Sequence, residues 1–585
     1  MNENNELREA LMELARTEGA KGHIGGADVL IELIKGDFVF DPNYDGNEGW
    51  HEWKGHYYER IPGSVLTNRV MRILPPIYED AAKPIYAEVE RLKKEDADER
   101  DIKKKKAEAD KLMEVASSLR FLGNVSQVIA VARGEQSIQV SRNQWDREQY
   151  ILAFRNCLVD VRTGEVVEPK REHYITKVIP HEWRGLDAQC PSYDRFINDL
   201  FINNPHREEI VSFINRAIGI GIAGDAPKEK FALNFIGPKG DNGKTTFLNI
   251  LGDLFGVFGG SFSKGILMQT HNENPEGPQA KLYTLAQQRV GWTSETNPRD
   301  VLDLGNFKRI TGGDRVSCRT LQQKYVTDFL PILLLIIASN HALRMDTQDV
   351  VGIKRLVPIM FEESFTTNPD PNDPYQHIAD RDMPKKVLAE APGIFARFVR
   401  EYIEYRRNVE RKIDGLGIPQ VLIEKREQAR SEADPFEQFL AQECLGVGKV
   451  AGKPFWEAFK VFHKDAQLPG NISQQQFSDA MKKRFERKSV NGKNWYYGVS
   501  LREDTVGAVP DEVFASHART LALDNSFDAA DKEVDNIKDI TIKAQTKVLV
   551  AKLRELYSYT NPQQSSILDF DGRATAQRLK ERMAA

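Results

Sequence analysis

The stretch Asn234-Phe-Ile-Gly-Pro-Lys-Gly-Asp-Asn-Gly-Lys-Thr-Thr-Phe247 gathers the residue types that hold phosphate. An apolar run from Phe231 to Ile236 reads as a buried strand, a glycine-rich turn follows, and Thr245 to Leu251 opens a helix. Small residues let backbone N–H groups wrap phosphate oxygens, and the helix N-terminus adds its partial positive charge. Gly237, Gly240, Asp241, Asn242, Gly243, Lys244, Thr245 and Thr246 form the expected cradle. Lys244 reaches the β- and γ-phosphates of a nucleotide such as ATP, and the Thr245 hydroxyl sits on Mg²⁺. The usual spacing is not fully kept, because Pro238 holds the place of the first glycine and Gly237 comes one residue earlier.

Hydrolysis asks for more than a cradle: a metal bridging the β- and γ-oxygens, and a group that orients or deprotonates the attacking water. Three further runs read as strands: Gln288 to Ser294, ended by Glu295; Pro331 to Ala338, ended by Ser339-Asn340; and Leu356 to Phe361. With helices between them they predict an α/β sheet, and ligands bind at the carboxyl ends of such strands. Lys244, Glu295 and Asn340 all fall there. Glu295 is the candidate water-activating carboxylate and, with Thr245, the candidate metal-holding group. Asn340 is placed to hold the water or sense the γ-phosphate, and Arg355 to supply charge to a neighbouring subunit's nucleotide.

Between Glu295 and Asn340, the segment from Asn306 to Tyr325 predicts a Gly-Gly-Asp turn and a projecting β-hairpin. Lys308, Arg309, Arg319 and Lys324 make it basic and Tyr325 can stack on a base, a combination suited to single-stranded nucleic acid. Residues 434–500 predict a winged helix. Aromatic residues recur at helical spacing, Ser473 caps a third helix, and Asn491-Gly492 marks the wing tip. Lys482, Lys483, Arg484, Arg487, Lys488 and Lys493 give this part a local positive surface.

The rest of the chain positions these segments. Leu7 to Thr17 and Asp28 to Lys35 read as helices, Trp50 to Arg60 as a hairpin turning at Lys54-Gly55, and Glu88 to Glu114 as one charged helix carrying Lys103 to Lys106 on a solvated face. His51 and His56 read as core or surface residues rather than metal ligands. Tyr150 to Val161 and Val166-Val167 read as two strands, and Phe196 to Phe201 and Arg207 to Ile220 as helices. Asp531 to Tyr557 reads as a helix and Ile567 to Gly572 as a turn.

At 585 residues, 41% of them hydrophobic, the chain has room for several domains. Its four cysteines show no paired spacing, so neither a disulfide framework nor a zinc ribbon is expected and a reducing, cytoplasmic setting is. No signal peptide and no membrane-spanning run is visible. A net charge of −5 confines nucleic-acid binding to local patches.

In their order these motifs resemble the superfamily 3 helicases of phage, plasmid and poxvirus primase–helicases, over roughly residues 145–500. Phe154 to Glu165, Asp187 to Pro191 and Ile218-Gly219 look like that family's pre-helicase signature. Gly240 to Thr246, Ser294-Glu295, Lys308 to Asp314, Ser339-Asn340, Arg355 and Leu388 to Ile394 continue it. The resemblance implies an AAA+-like ring, typically a hexamer, that moves 3′→5′ on single-stranded DNA with its hairpin and completes each ATP site with Arg355 of a neighbour. The expected organisation is a mixed N-terminal region (1–145), a pre-helicase domain (146–225), an ATPase domain (226–400), a linker helix and winged helix (401–505) and a helical tail (506–585). The leading expectation is an ATP-dependent replicative DNA helicase of a phage or mobile element, acting on single-stranded and forked DNA with a separate primase or polymerase. A bifunctional primase–helicase and a non-enzymatic DNA scaffold with a degenerate nucleotide site are the alternatives.

Overall fold

One-sided burial of five helices organises the N-terminal region of the protein, whose computed structural model describes most of residues 2–502. The described residues exclude 20, 45, 270–279, 295–296, 298–299, 319–326, 347–348, 467, 469–471 and 491, and beyond 502 comprise only 527–535, 543, 546–551 and 554. The chain divides into two compact units, Met1–Pro298 with Gly305–Ala342 and Lys354–Ile423, and Arg299–Leu304 with Leu343–Ile353 and Glu424–Ala585.

In the first unit, α1 (Asn2–Leu14) and α2 (His23–Ile34) precede an antiparallel sheet of β1 (Phe38–Phe40), β2 (Trp50–Trp53) and β3 (Tyr58–Arg60), the last two forming the expected hairpin. Then come α3 (Gly63–Lys94), α4 (Glu99–Ser118) and α5 (Leu122–Ala132), closing over Leu30, Trp50, Leu66, Tyr78 and Ile129. The single helix expected over Glu88 to Glu114 is two. Asp96 takes a left-handed φ of 55° and the Asp98 carboxylate caps α4 through the Arg100 N–H, because aspartate favours caps over helix interiors. α3 and α4 pack against each other, and the lysines of α4 stay on its outer side, Lys103 and Lys105 pairing with Glu99 and Glu108.

A second small sheet, in the order β6-β5-β4-β7, comprises β4 (Ile151–Phe154), β5 (Leu158–Asp160), β6 (Glu165–Val167) and β7 (Val178–Ile179). The run Tyr150 to Val161 is thus two strands rather than one. It turns at Asn156, whose side chain accepts from the Trp183 N–H and donates to the Trp183 carbonyl, both at 2.9 Å. Helices α6 (Pro191–Asp199), α7 (Arg207–Ala223) and α8 (Ala226–Glu229) follow.

The central sheet has the order β14-β8-β13-β10-β9, with every pairing parallel. Its strands are β8 (Ala232–Ile236), β9 (Gly259–Ser261), β10 (Val290–Thr293), β13 (Leu334–Ser339) and β14 (Leu356–Met360). β13 is buried at all six positions, as a strand covered on both faces must be. Between these strands lie α9 (Lys244–Phe255), α10 (Ala280–Tyr283), α11 (Leu304–Thr311), the antiparallel pair β11 (Val316–Cys318) and β12 (Thr327–Phe329), and α12 (Val350–Lys354). A parallel pair, β15 (Ser364–Thr366) and β16 (Gln376–Ile378), then leads into α13 (Met383–Ala389), α14 (Ala391–Glu410) and α15 (Gln420–Ala433). Glu390 caps α6 by accepting from the Ser192 and Tyr193 N–H groups at 2.8 and 3.2 Å, and Arg397 on α14 donates to both carboxylate oxygens of Asp194.

In the second unit, α16 (Pro435–Glu443), β17 (Cys444–Leu445), β18 (Lys449–Ala451), α17 (Gly452–Asp465), α18 (Gln474–Arg484), β19 (Glu486–Val490), β20 (Lys493–Tyr497) and β21 (Ser500–Leu501) enclose Phe436, Phe439, Phe455, Phe459, Phe477 and Tyr496. Ser473 and Gln476 form a reciprocal capping box at α18, as a Ser start predicts. Gly492 turns β19 into β20 at φ 73°, while Asn491 lies outside the described residues. Of the helix expected over Asp531 to Tyr557, the described part is the end of α19 (Phe527–Asp535) with short stretches beyond it, and Ile567 to Gly572 lie outside the described residues.

Helices α7 and α14 cross so closely that a Cβ on Gly219 would stand 2.4 Å from the Phe398 carbonyl oxygen. Gly219→Ala therefore forces backbone apart and is expected to cost roughly 1–3 kcal/mol, lowering the calorimetric unfolding temperature. Gly123→Ala, with nothing within 4 Å of its added carbon, is expected to be neutral or slightly stabilising in the same measurement.

Candidate functional site

Parallel register brings the carboxyl ends of three strands level, with Ile236 beside Ser339 on one side and Met360 on the other. The loop of residues 237–243 leaves β8 at that edge and Asn340 leaves β13. Lys244 opens α9 and turns back: its Nζ donates to the Gly237 carbonyl at 3.2 Å and to Asn340 Oδ1 at 3.1 Å. The side chain is 6% exposed, and burial pulls its ammonium down to about 8. Neutral dipoles hold it, and among the described residues no carboxylate does.

The displaced glycine has a physical reason. A Cβ at 237 would lie 2.0 Å from Asn242 Nδ2 and 2.3 Å from Lys244 Nζ, whereas one at 240 would meet nothing within 4 Å. Glycine is needed where the loop passes the ammonium, and that place is 237. The loop then turns through left-handed Asp241 (φ 54°) and Gly243 (φ 80°), with Asn242 buried and donating to the Lys239 carbonyl at 2.5 Å.

A brace that the sequence reading passed over closes the outside of the loop. The Phe365 N–H donates to the Asp241 carbonyl at 2.7 Å, and Lys239 reaches Asp373 at 3.4 Å and lies over the Tyr375 ring. Behind it, Glu363, 2% exposed, accepts from the Asn203 backbone and side chain at 3.0 Å each and bonds His377 Nε2 at 2.6 Å. The turn-forming run Pro369-Asp-Pro-Asn-Asp-Pro374 was the available signal for this strand pair.

Beside the loop lies a cavity of about 430 Å³. Gly243, Thr245 and Thr246 line one side, and Phe196, Leu200, Phe365 and Met383 give it apolar walls. Arg195, Asp199, Asp380 and Arg381 add charge. Thr245 is exposed there. Among the described residues no three His, Cys, Asp or Glu side chains converge on a metal position. One hydroxyl among few donors suits Mg²⁺, which takes its other ligands from water and substrate phosphates.

The other candidate residues are spread out. Glu295 lies outside the described residues, as do Arg319, Lys324 and Tyr325 at the hairpin tip. Arg355 precedes β14, where its carbonyl accepts from the Ala232 N–H at 2.7 Å, so it stands at the amino edge of the sheet. A five-residue strand, about 17 Å, separates it from Lys244. Its guanidinium closes the end of α11, donating to the Lys308 carbonyl at 2.7 Å and to Thr311 Oγ1 at 3.1 Å. Lys308 and Arg309 belong to α11 rather than to the hairpin, because Phe307 and Ile310 bury one face of that turn of helix. In the second unit Lys482, Lys483, Arg487, Lys488 and Lys493 are exposed. Arg484 of the same cluster instead faces inward, donating to Glu437 at 2.8 Å and Asp434 at 3.3 Å. His51 is buried against Trp145, its ring pushed toward the neutral form by burial, while His56 bonds the Phe154 carbonyl.

The state of Lys244 is directly measurable. In ligand-free protein carrying ¹³C-labelled lysine, one side-chain resonance is expected to titrate near pH 8 and to be missing in Lys244→Met. Tripolyphosphate should move that titration upward, because an anion favours the charged form. A lysine set without any member titrating below pH 9 counts against the buried, dipole-held ammonium.

Comparison with known proteins reaches the same kin as the motifs do. Residues 27–202 match the D5 N terminal like family. The chain is 28% identical over 263 residues to the putative primase C962R of African swine fever virus (isolate Warthog/Namibia/Wart80/1980), covering 44% of this chain and 25% of that protein. It is 25% identical over 362 residues to the putative helicase 184R of Invertebrate iridescent virus 6, covering 56% and 37%. This chain thus spans between a quarter and two fifths of the length of these relatives. Among solved structures, the apo C terminal region of NrS-1 aligns over 64% of this chain and 89% of that one, with 11% identity and a TM-score of 0.36. Over residues 27–202 the chain is thus similar to the D5 N terminal like family, and over longer spans to viral proteins named as a putative primase and a putative helicase.

Proposed function

We propose that this chain is an ATP-dependent DNA helicase that assembles as a homo-oligomeric ring and translocates on single-stranded DNA. The observation that carries the reading is the desolvated Lys244 ammonium, held at a helix N-terminus between Gly237 and Asn340 with no competing carboxylate among the described residues. Such a group is poised for an anion, and a triphosphate is the anion a loop of this length encloses.

Each residue then has a task. Backbone N–H groups of the loop and the first turn of α9 bind the β-phosphate, and Lys244 leaves its two dipoles for the β- and γ-oxygens. Asn340, freed from the ammonium, turns its amide to the γ-phosphate or the attacking water. Thr245 and Glu295 would hold Mg²⁺, which would supply positive charge against the phosphates. Glu295 takes the proton of the water that attacks the γ-phosphorus. The apolar cavity between α6 and Phe365 receives the nucleoside. Arg355, at the opposite edge of the sheet from its own Lys244, serves a neighbour's nucleotide and links hydrolysis to ring assembly. Lys308, Arg309 and the hairpin carry the DNA strand, Lys482, Lys483 and Arg487 of the second unit contact duplex at the fork, and travel is 3′→5′ by family resemblance.

ATP hydrolysis with and without single-stranded DNA, beside unwinding of a forked duplex, tests this. Stimulated turnover and unwinding are expected in the wild type, with Glu295→Gln and Lys244→Ala each reduced about 10²-fold or more. DNA binding without turnover in any of the proteins would sink the reading and leave a scaffold. The role of Arg355 has its own check: Arg355→Ala and Lys244→Ala are each expected to be inactive alone, while their mixture regains turnover at interfaces that combine the two intact halves. No recovery on mixing argues against action across subunits.

A further inference from the structure

The outer face of the three-stranded sheet in the second unit carries aromatic rings that its core leaves uncovered. Strand alternation sends Val450 and Tyr496 inward, 4% and 2% exposed, and turns Lys449, Trp495 and Tyr497 to the opposite side. Antiparallel register aligns the outward residues across strands, pairing Tyr497 with Lys449 and Glu486, Trp495 with Lys488, and Lys493 with Val490. Lys449 Nζ lies 5.2 Å from the centre of the Trp495 ring, and Lys488 Nζ lies 5.4 Å from that of Tyr497. Both rings are half-buried, and the acid that this face presents among the strand residues, Glu486, is paired with Lys488 at 3.0 Å.

Phenylalanines and Tyr496 fill the core of this unit, and Trp495 and Tyr497 lie on the other face under lysines. Two rings on one face of one strand stand about 7 Å apart, twice the strand rise. Successive bases of an extended strand can each take a ring at that spacing, as bases do on aromatic sheet faces. A duplex cannot use such a surface, because its bases are already stacked on one another. The three lysines, against one acid, supply the attraction for phosphates.

We propose that this face is a platform for single-stranded nucleic acid, on which Trp495 and Tyr497 each stack one unpaired base while Lys449, Lys488 and Lys493 hold the backbone. The site does not include Arg487, which shares the opposite sheet face with Tyr496. It does not depend on the nucleotide site, and its test is made without ATP. Deoxyribose and ribose strands offer the same chemistry to the rings, so both are used.

The experiment is anisotropy of fluorescein-labelled dT12 and rU12 titrated with the full chain, combined with photo-cross-linking of the same oligomers carrying 5-iodouracil. Trp495→Ala with Tyr497→Ala is expected to weaken binding about 100-fold, tenfold per ring, while the double Phe variant stays within a few-fold of wild type. Changing Lys449, Lys488 and Lys493 together to Gln should lower the slope of log affinity against log salt by about two. Mass spectrometry should place cross-links on Trp495 or Tyr497, a readout that needs no variant to fold. Loss with dT12 alone assigns the platform to DNA, and loss with rU12 alone to RNA. A double Ala variant that melts like wild type and binds both oligomers within twofold of it overturns the proposal, as do cross-links found only outside residues 486–497.

Discussion

A buried ammonium without a carboxylate is the constraint on which the site depends. Lys244 gives up solvent for two neutral oxygens, one backbone and one side chain, and its proton is correspondingly loosened. A carboxylate in that place would satisfy the charge and close the site to anions. Carbonyl and amide dipoles satisfy it only partly, which leaves a positive potential at the mouth of α9. The arrangement holds only if Gly237 lets the ammonium approach and Asn340 is delivered beside it. The first condition is met by a missing Cβ, the second by the shared register of β8 and β13.

The rest of the first unit keeps those few atoms in place. The brace of β15 and β16 takes up the Asp241 carbonyl and clamps Lys239, so that the loop is supported from outside rather than left as a free turn. Glu363 extends that support to Asn203, between α6 and α7, and Glu390 and Arg397 tie the start of α6 to α13 and α14. Helix α6 in turn lines the cavity next to the loop. The loop is thereby tied to the helices that precede the sheet, in part through the buried Glu363 carboxylate, whose hydrogen bonds are costly to break.

Much of the central sheet was legible because its strands are continuous apolar runs and its loop carries a glycine pattern with a known mechanical purpose. Parallel strands buried on both faces can hardly be anything else, and Asn340 and Lys244 were placed at one edge by that logic alone. Legibility failed where local preference and tertiary context disagree. The charged stretch after Glu88 has helical composition throughout, yet Asp96 and Asp98 break it by capping. Lys308 and Arg309 have the composition of hairpin residues, but Phe307 and Ile310 reach the core only from a helix. Arg484 counted as surface charge in the sequence and is turned inward by Asp434 and Glu437, neither of which is near it in the chain. The brace at 364–378 was missed because its strands are three residues long and carry no alternation to read.

Lysine is held in two opposite ways, and the difference lies in solvation. Lys244 is buried and fixed by two hydrogen bonds, so its charge stands at a defined place. Lys449 and Lys488 remain in water over aromatic faces, where charge is screened and geometry is loose. Fixed geometry suits a reaction whose transition state must be met at defined oxygens. Loose geometry suits a backbone that has to be held at any sequence and released. Net charge hides this division, since a chain of −5 carries both kinds of cation and balances them with acids placed elsewhere. What decides between the two uses is whether neighbouring carbonyls and amides, rather than water, receive the ammonium's protons.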